Sequence, residues 1–191
     1  IPFVKIALTN EDRRGNRPRF QYILAQLYQL NGERESACNA YNKVLKMQPS
    51  NEMDFNARLN IALLGSSTNE AVKQLYKMAR LDKNKDQLDQ IYGAIGDVYL
   101  ANKDTTQALA YYEKGIAEST QNGTAKAKVL ITAGDIYYEQ RNYIKASPCY
   151  KEATQILSAD SDEYERILQR SETLDELVVE YTMVQLQDSL Q

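Results

Sequence analysis

Small, apolar and polar residues recur along this chain in a register that repeats. From Gly96 the chain reads GDVYLANKDTTQALAYYEKGI, and 38 residues further on it reads GDIYYEQRNYIKASPCYKEAT. Gly96 aligns with Gly134, Tyr99 with Tyr137, Ala108 with Ala146 and Tyr112 with Tyr150. Self-similarity at this period is the mark of stacked helix pairs, each too small to bury its apolar face alone. Long runs of Ala, Leu, Gln, Glu and Lys favour helix over sheet, so the pattern predicts an all-α fold without strands.

Four such units and two flanking segments are expected. Residues 1–14 place Phe3 or Val4 and Ala7 as the second helix of a preceding, truncated unit would, and end at the polar turn RRGNRP. The chain is therefore expected to begin mid-repeat and the natural protein to extend further N-terminally. Residues 17–50 form the first unit, with Leu24, Ala25 and Tyr28, a turn at Gly32, then Ala37, Tyr41 and Val44. Residues 51–84 form a degenerate second unit, with Leu59 where a small residue belongs and Ala62 where a tyrosine belongs. Ser67 with Glu70, and Asp104 with Gln107, read as capping boxes, and Lys83–Asp86 as a polar connector. The best units span 88–121 and 126–159, and their 37- and 38-residue spacing predicts longer first helices or projecting connectors near Asn84 and Asn122–Gly123. Pro148 is expected close enough to a helix start, at Tyr143, for its missing N–H to be tolerated. Residues 160–191 predict one acidic helix, started at Asp160 and capped by Glu163. Its stripe of Tyr164, Ile167, Leu174, Val178 and Tyr181 would cover the last unit. Leu186 and Leu190 lie beyond what one unit can cover and are expected to touch a partner or to continue into further chain.

These positions fill nearly every slot of the tetratricopeptide repeat, which the chain resembles: large, Leu, small, Tyr, Gly, Ala, aromatic, small, Pro over about 34 residues. Its steric logic is direct. Small residues stand where the paired helices cross, and aromatic residues fill the volume where they diverge. The resemblance implies a right-handed α-solenoid with a long C-terminal capping helix, and a role in binding rather than catalysis.

Composition narrows the chemistry. The chain has no histidine, which removes the usual general base, the Ser/His and Cys/His nucleophiles and the commonest metal ligand. Acid pairs such as Asp160 with Asp162 and Asp175 with Glu176 fall at caps or exposed faces. No GxxxxGK[ST], GxGxxG or CxxC occurs, so no catalytic residue, cofactor or metal site is assigned. Cys38 and Cys149 fall in units three apart, separated by several helices packed about 8–10 Å from one another, and should be free thiols. The net charge is −3, but residues 158–191 hold nine acids against Arg166 and Arg170. A pI near 5.2 argues against nucleic acid, and no window reaches the roughly 20 apolar residues of a membrane span.

Most of the 14 tyrosines occupy core positions. Tyr22 and Tyr138 instead lie off the core stripe of first helices, the side that lines the groove of such arrays. The register sets Gln26, Gln29, Asn56, Asn60, Asp97, Lys128 and Asp135 with them, an amide-rich surface able to hydrogen-bond a protein or an extended peptide. Repeat clamps for C-terminal carboxylates use Lys, Asn and Arg where this chain has Tyr22, Gln26, Asn60, Gly93 and Asp97, so that activity is not carried over.

The phrases FQYILAQLYQLNGE, FNARLNIAL, DKNKDQLDQIYGAIGDVYL, STQNGTAKAKVLITAGDIYYE, SPCYKEA and LQDSLQ are spread along nearly the whole chain, and several lie outside the generic repeat consensus. They make the chain similar to the tetratricopeptide lipoproteins of the SprE/PorW kind, linked to gliding motility and type IX secretion in Bacteroidetes. That resemblance implies a periplasmic scaffold tethered to the outer membrane by a lipidated cysteine outside these residues. It implies no membrane insertion by this segment. The alternative is the sensory half of a membrane signalling protein, whose long terminal helix would lead into an apolar stretch after Gln191.

Overall fold

The computed structural model describes residues 1–11, 15–65 and 67–189, with side chains described up to residue 183. Among the described residues there are ten α-helices, one 3₁₀ turn and no strand. The helices are α1 (Pro2–Asn10), α2 (Arg17–Leu30), α3 (Arg34–Leu45), α4 (Asn51–Leu63), α5 (Thr68–Ala79), α6 (Leu88–Ala101), α7 (Thr105–Glu118), α8 (Thr124–Glu139), α9 (Tyr143–Ile156) and α10 (Tyr164–Ser189). They fall into two compact units, Ile1–Asn84 and Lys85–Gln191.

In the first unit α2 pairs with α3 and α4 with α5, and α1 lies against α2. Ala25, Ala40, Tyr41, Val44 and Ala57 form its core cluster. Helix α1 buries no residue completely: Val4, Ala7 and Leu8 are half-buried, and Phe3 is 85% exposed. In the second unit α6 pairs with α7, α8 with α9, and α10 packs on α9. Tyr112, Leu130, Ala133, Tyr150, Ile167 and Leu174 lie in one continuous core.

The same turn closes three of the four pairs. The N–H groups of Glu33, Asp104 and Asn142 donate to the carbonyls of Tyr28, Tyr99 and Tyr137 at 2.9–3.0 Å, and those of Gly32, Lys103 and Arg141 donate to Gln29, Leu100 and Tyr138. This is the Schellman arrangement, which requires a left-handed residue just past the helix. Gly32 takes that conformation at φ 76°, but Lys103 (62°) and Arg141 (58°) take it as well, despite their Cβ atoms. The next residue then caps the second helix: the Asp104 carboxylate accepts from the N–H of Gln107, and the Asn142 side chain from that of Lys145. Ser67 Oγ likewise accepts from the N–H of Glu70 at 3.3 Å, while Glu70 accepts from Gln74.

The close crossing is set by glycine. A Cβ on Gly96 would stand 2.4 Å from Tyr112, and one on Gly134 3.0 Å from Tyr150. In the α4–α5 pair Leu59 and Leu75 hold these positions, the first half-buried and the second fully buried, and Ala57 and Ala62 are buried as well.

Two expectations need correction, the start of the C-terminal helix and the place of Pro148. The C-terminal helix begins at Tyr164 rather than Asp160. Residues 159–163 form turns before it, and Glu163 pairs with Arg166 instead of closing a cap. Lys83–Asp86 do connect α5 to α6, as a 3₁₀ turn (Asp82–Gln87) in which Asn84 is buried and donates to the Met78 carbonyl at 2.9 Å. Pro148 is the sixth residue of α9, past the first turn, so the Ile144 carbonyl loses its helical donor. Ile144 is 49% exposed, which lets water reach that end of the helix. The longer period has both expected sources: the 37-residue spacing comes from the α5–α6 connector around Asn84, residues 80–87 against 46–50 between α3 and α4, and the 38-residue spacing from the helices, α7 having 14 residues against 12 in α3 and α8 having 16 against 14 in α2. Leu186 and Leu190, expected to meet a partner, lie outside the residues whose side chains are described.

Candidate protein-binding surface

Gln26, Asn60, Asp97 and Asp135 hold one register position, each directly following the crossing residue (Ala25, Leu59, Gly96, Gly134). What each does depends on the second helix of its pair.

In the second unit that position is an acid, and it is occupied. Tyr112, with no exposed surface, donates its hydroxyl to Asp97 Oδ1 at 2.7 Å, and Lys128 Nζ lies 3.2 Å from Oδ2. Tyr150 donates to Asp135 Oδ1 at 2.6 Å, and Arg166 and Arg170 of α10 close on the same oxygen. Arg170 also sits 4.9 Å above the Tyr138 ring, which meets Tyr143 edge-on. Burial, reinforced by the carboxylate each one faces, pushes the phenol pKa of Tyr112 and of Tyr150 above the ordinary tyrosine range, so both stay protonated donors. Thus Asp97, Lys128, Asp135 and Tyr138 are joined in two fixed networks.

In the first unit the position is an amide. Tyr41 donates not to Gln26 but to Gln29 Oε1, at 2.8 Å. In the next pair Leu75 replaces the tyrosine and has no hydroxyl to offer, so Asn60 turns elsewhere. Its Nδ2 donates to the Asn56 carbonyl at 2.8 Å and reaches the Tyr22 hydroxyl at 3.4 Å. Tyr22 lies edge-on to Tyr41, ring centres 5.3 Å apart, and burial raises its pKa.

Two clefts open on either side of this bond. The larger, about 1050 Å³, is lined by Arg17, Pro18, Tyr22, Met53 and Asn56 among others. The smaller, about 350 Å³, is lined by Ile23, Gln26, Leu27, Gln29, Leu30 and Asn60. Gln26 is exposed, Leu30 is 84% exposed, and the other amides are half-buried. The five expected residues of this unit therefore line two polar and apolar clefts, Tyr22 and Asn56 the larger and Gln26, Gln29 and Asn60 the smaller. The arrangement can take a chain that offers backbone donors and acceptors together with an apolar side chain.

Sequence reading missed the role of α10. Arg166 and Arg170 are the only cations of that helix and stand four residues apart, a signal that they share an anion on a neighbour. It also missed the contact of Glu113 with the Tyr137 hydroxyl, joined by Lys145 at 3.1 Å. The Tyr137 hydrogen bond, more than Lys145, holds the Glu113 carboxyl below its usual value. Cys38 and Cys149 are both free thiols. Burial raises the Cys149 thiol to about 11 and keeps it protonated at neutral pH. No group of three or more Cys, Asp or Glu residues suited to a metal ion occurs among the described residues.

Several solved structures share the fold. BtubC from P. vanneervenii aligns over 93% of this chain and 79% of its own at 14% identity, with a TM-score of 0.65. Pseudomonas aeruginosa pilF aligns over 86% and 70% at 21% identity (TM-score 0.57), and MamA over 88% and 90% at 20% (TM-score 0.51). No curated protein matches this chain. Tetratricopeptide-repeat models match residues 18–51 and 87–159, together more than half of the chain. With the Schellman turns and the small-on-aromatic crossings between paired helices, these matches make the chain a member of the tetratricopeptide-repeat proteins.

Proposed function

We infer that this chain is a non-enzymatic interaction scaffold whose clefts on α2 and α4 hold an extended peptide segment of another protein. One observation carries the reading. Gln26, Asn56 and Asn60 stand together beside the Tyr22 ring, and an amide both donates and accepts, as an extended backbone requires. Tetratricopeptide repeats generally serve as protein-binding scaffolds, and no helix among the described residues is long and apolar enough to cross a membrane. The SprE/PorW-like phrases support the finer reading: a periplasmic component, associated with the outer membrane, that helps a secretion or gliding machine assemble.

The test is a crosslinking capture from envelope extracts of the source organism, with wild type and with Gln26→Ala/Asn60→Ala. Secretion or motility components captured by the wild type and lost from the variant are the expected result. Recovery of signalling proteins alone would instead support the sensory module, and capture unaffected by the variant would remove the clefts from the account.

A further inference from the structure

Helix α10 changes character along its length. Its first half is docked: Ile167, Ser171 and Leu174 are buried, Arg166 and Arg170 engage Asp135, and Asp175 accepts from Ser147 at 2.6 Å and from Lys151 at 2.7 Å. Its second half is not. From Glu176 to Met183 only Val178 is even half-buried, while Leu177, Val179, Tyr181 and Met183 are 41%, 54%, 53% and 61% exposed. The helix nevertheless continues to Ser189.

The charges on this half are one-sided. Arg170 is the last cation of the chain. Glu172, Glu176 and Glu180 follow at intervals of four, all exposed, and no lysine or arginine among the described residues stands within ion-pair distance of them. Like charges four apart form a single self-repelling ridge on a helix. Leu177 flanks this ridge on one side, with Val179 and Met183 on the other.

We propose that α10 from Glu172 to Met183 is a docking strip for a basic amphipathic helix of another protein. The apolar flanks receive the partner's apolar face, and the glutamate ridge receives its lysines or arginines. Twelve residues of helix span roughly 18 Å, enough for about three turns of partner helix. A second copy of this chain does not fit, because it would bring an identical glutamate ridge against the first with no cation to intervene. This strip is separate from the clefts on α2 and α4, and either can fail without the other.

The probe is a labelled 18-residue helical peptide of leucine and lysine, with its leucine–glutamate counterpart as control, titrated against the whole chain by fluorescence anisotropy. The wild type should bind the lysine peptide and not the glutamate one, with affinity falling as salt rises. Glu172→Lys/Glu176→Lys/Glu180→Lys should weaken the lysine peptide at least tenfold and gain binding of the glutamate peptide. Leu177→Ser/Met183→Ser should weaken the lysine peptide about fivefold or more, with circular dichroism confirming that the helices persist. A benzophenone-bearing lysine peptide should crosslink the unaltered chain within residues 172–183. Equal affinity in the charge-reversed chain, crosslinks elsewhere, or self-association of the wild type through α10 in sedimentation would each overturn the proposal.

Discussion

The α6–α7 and α4–α5 pairs solve the same packing problem in opposite ways. In α6–α7 a glycine at the crossing lets Tyr112 lie across the helix, and its hydroxyl ends on Asp97. The polar side chain on the outer face is thereby consumed by the fold. In α4–α5 Leu59 and Leu75 fill the crossing with aliphatic volume, no hydroxyl emerges, and Asn60 is left to bond Asn56 and Tyr22 at the border of two clefts. Losing the tyrosine is what turns Asn60 toward Asn56 and Tyr22.

Breaking the glycine crossing should give the largest effect. Gly96→Leu places a branched side chain where even a Cβ would be 2.4 Å from Tyr112, and should cost about 3 kcal/mol or more in urea unfolding. Gly134→Leu, with 3.0 Å to Tyr150, should cost less, about 1–2 kcal/mol. Equal stability of both variants and wild type would refute the register. Next comes the hydroxyl: Tyr112→Phe leaves Asp97 without its buried donor and should cost about 1 kcal/mol, read as a lower unfolding midpoint at unchanged slope.

The turns give an effect of opposite sign. Gly32 already suits the left-handed position, so Lys103→Gly, bringing α6–α7 to the same solution, should stabilise by about 1 kcal/mol, seen as a raised thermal midpoint. Acid should act more gently. Asp175 is held low chiefly by Lys151 and then by Ser147, and Glu113 chiefly by the Tyr137 hydroxyl and then by Lys145. Each contributes stability above its ordinary value, 3.8 or 4.5, that is lost as pH falls through the lower folded value. Thermal midpoints should therefore decline below about pH 4, and less steeply in Asp175→Asn than in wild type. The smallest effect belongs to Lys128→Ala, whose ion pair with Asp97 is 72% exposed on the lysine side and should contribute under about 0.5 kcal/mol.

The fold was largely legible because its determinants are local. Gly96 and Gly134, Tyr112 and Tyr150, and the capping pair Asp104 with Gln107 announce themselves by spacing alone. Lys103 and Arg141 were not legible as left-handed residues, since nothing in a lysine or arginine signals positive φ; only their alignment with Gly32 could have done so. The start of α10 was misplaced because four acids between 160 and 165 satisfy a capping pattern at more than one register. The surface was half legible. Register placed Tyr22, Gln26, Gln29, Asn56 and Asn60 together, but whether a groove position is open depends on what the next helix brings to it. For Asp97 that is Lys128, and for Asp135 it is Arg166 and Arg170, contacts separated by 31 to 35 residues.

The most direct measurement compares the two solutions as binding surfaces. Affinity for the protein partner recovered by crosslinking is measured by calorimetry for Gln26→Ala/Asn60→Ala and for Asp97→Ala, alongside each variant's thermal midpoint. The account predicts at least tenfold weaker binding with an unchanged midpoint for the first, and a lowered midpoint with binding within twofold of wild type for the second. The reverse pattern, lost binding for Asp97→Ala and full affinity for the amide variant, would contradict it.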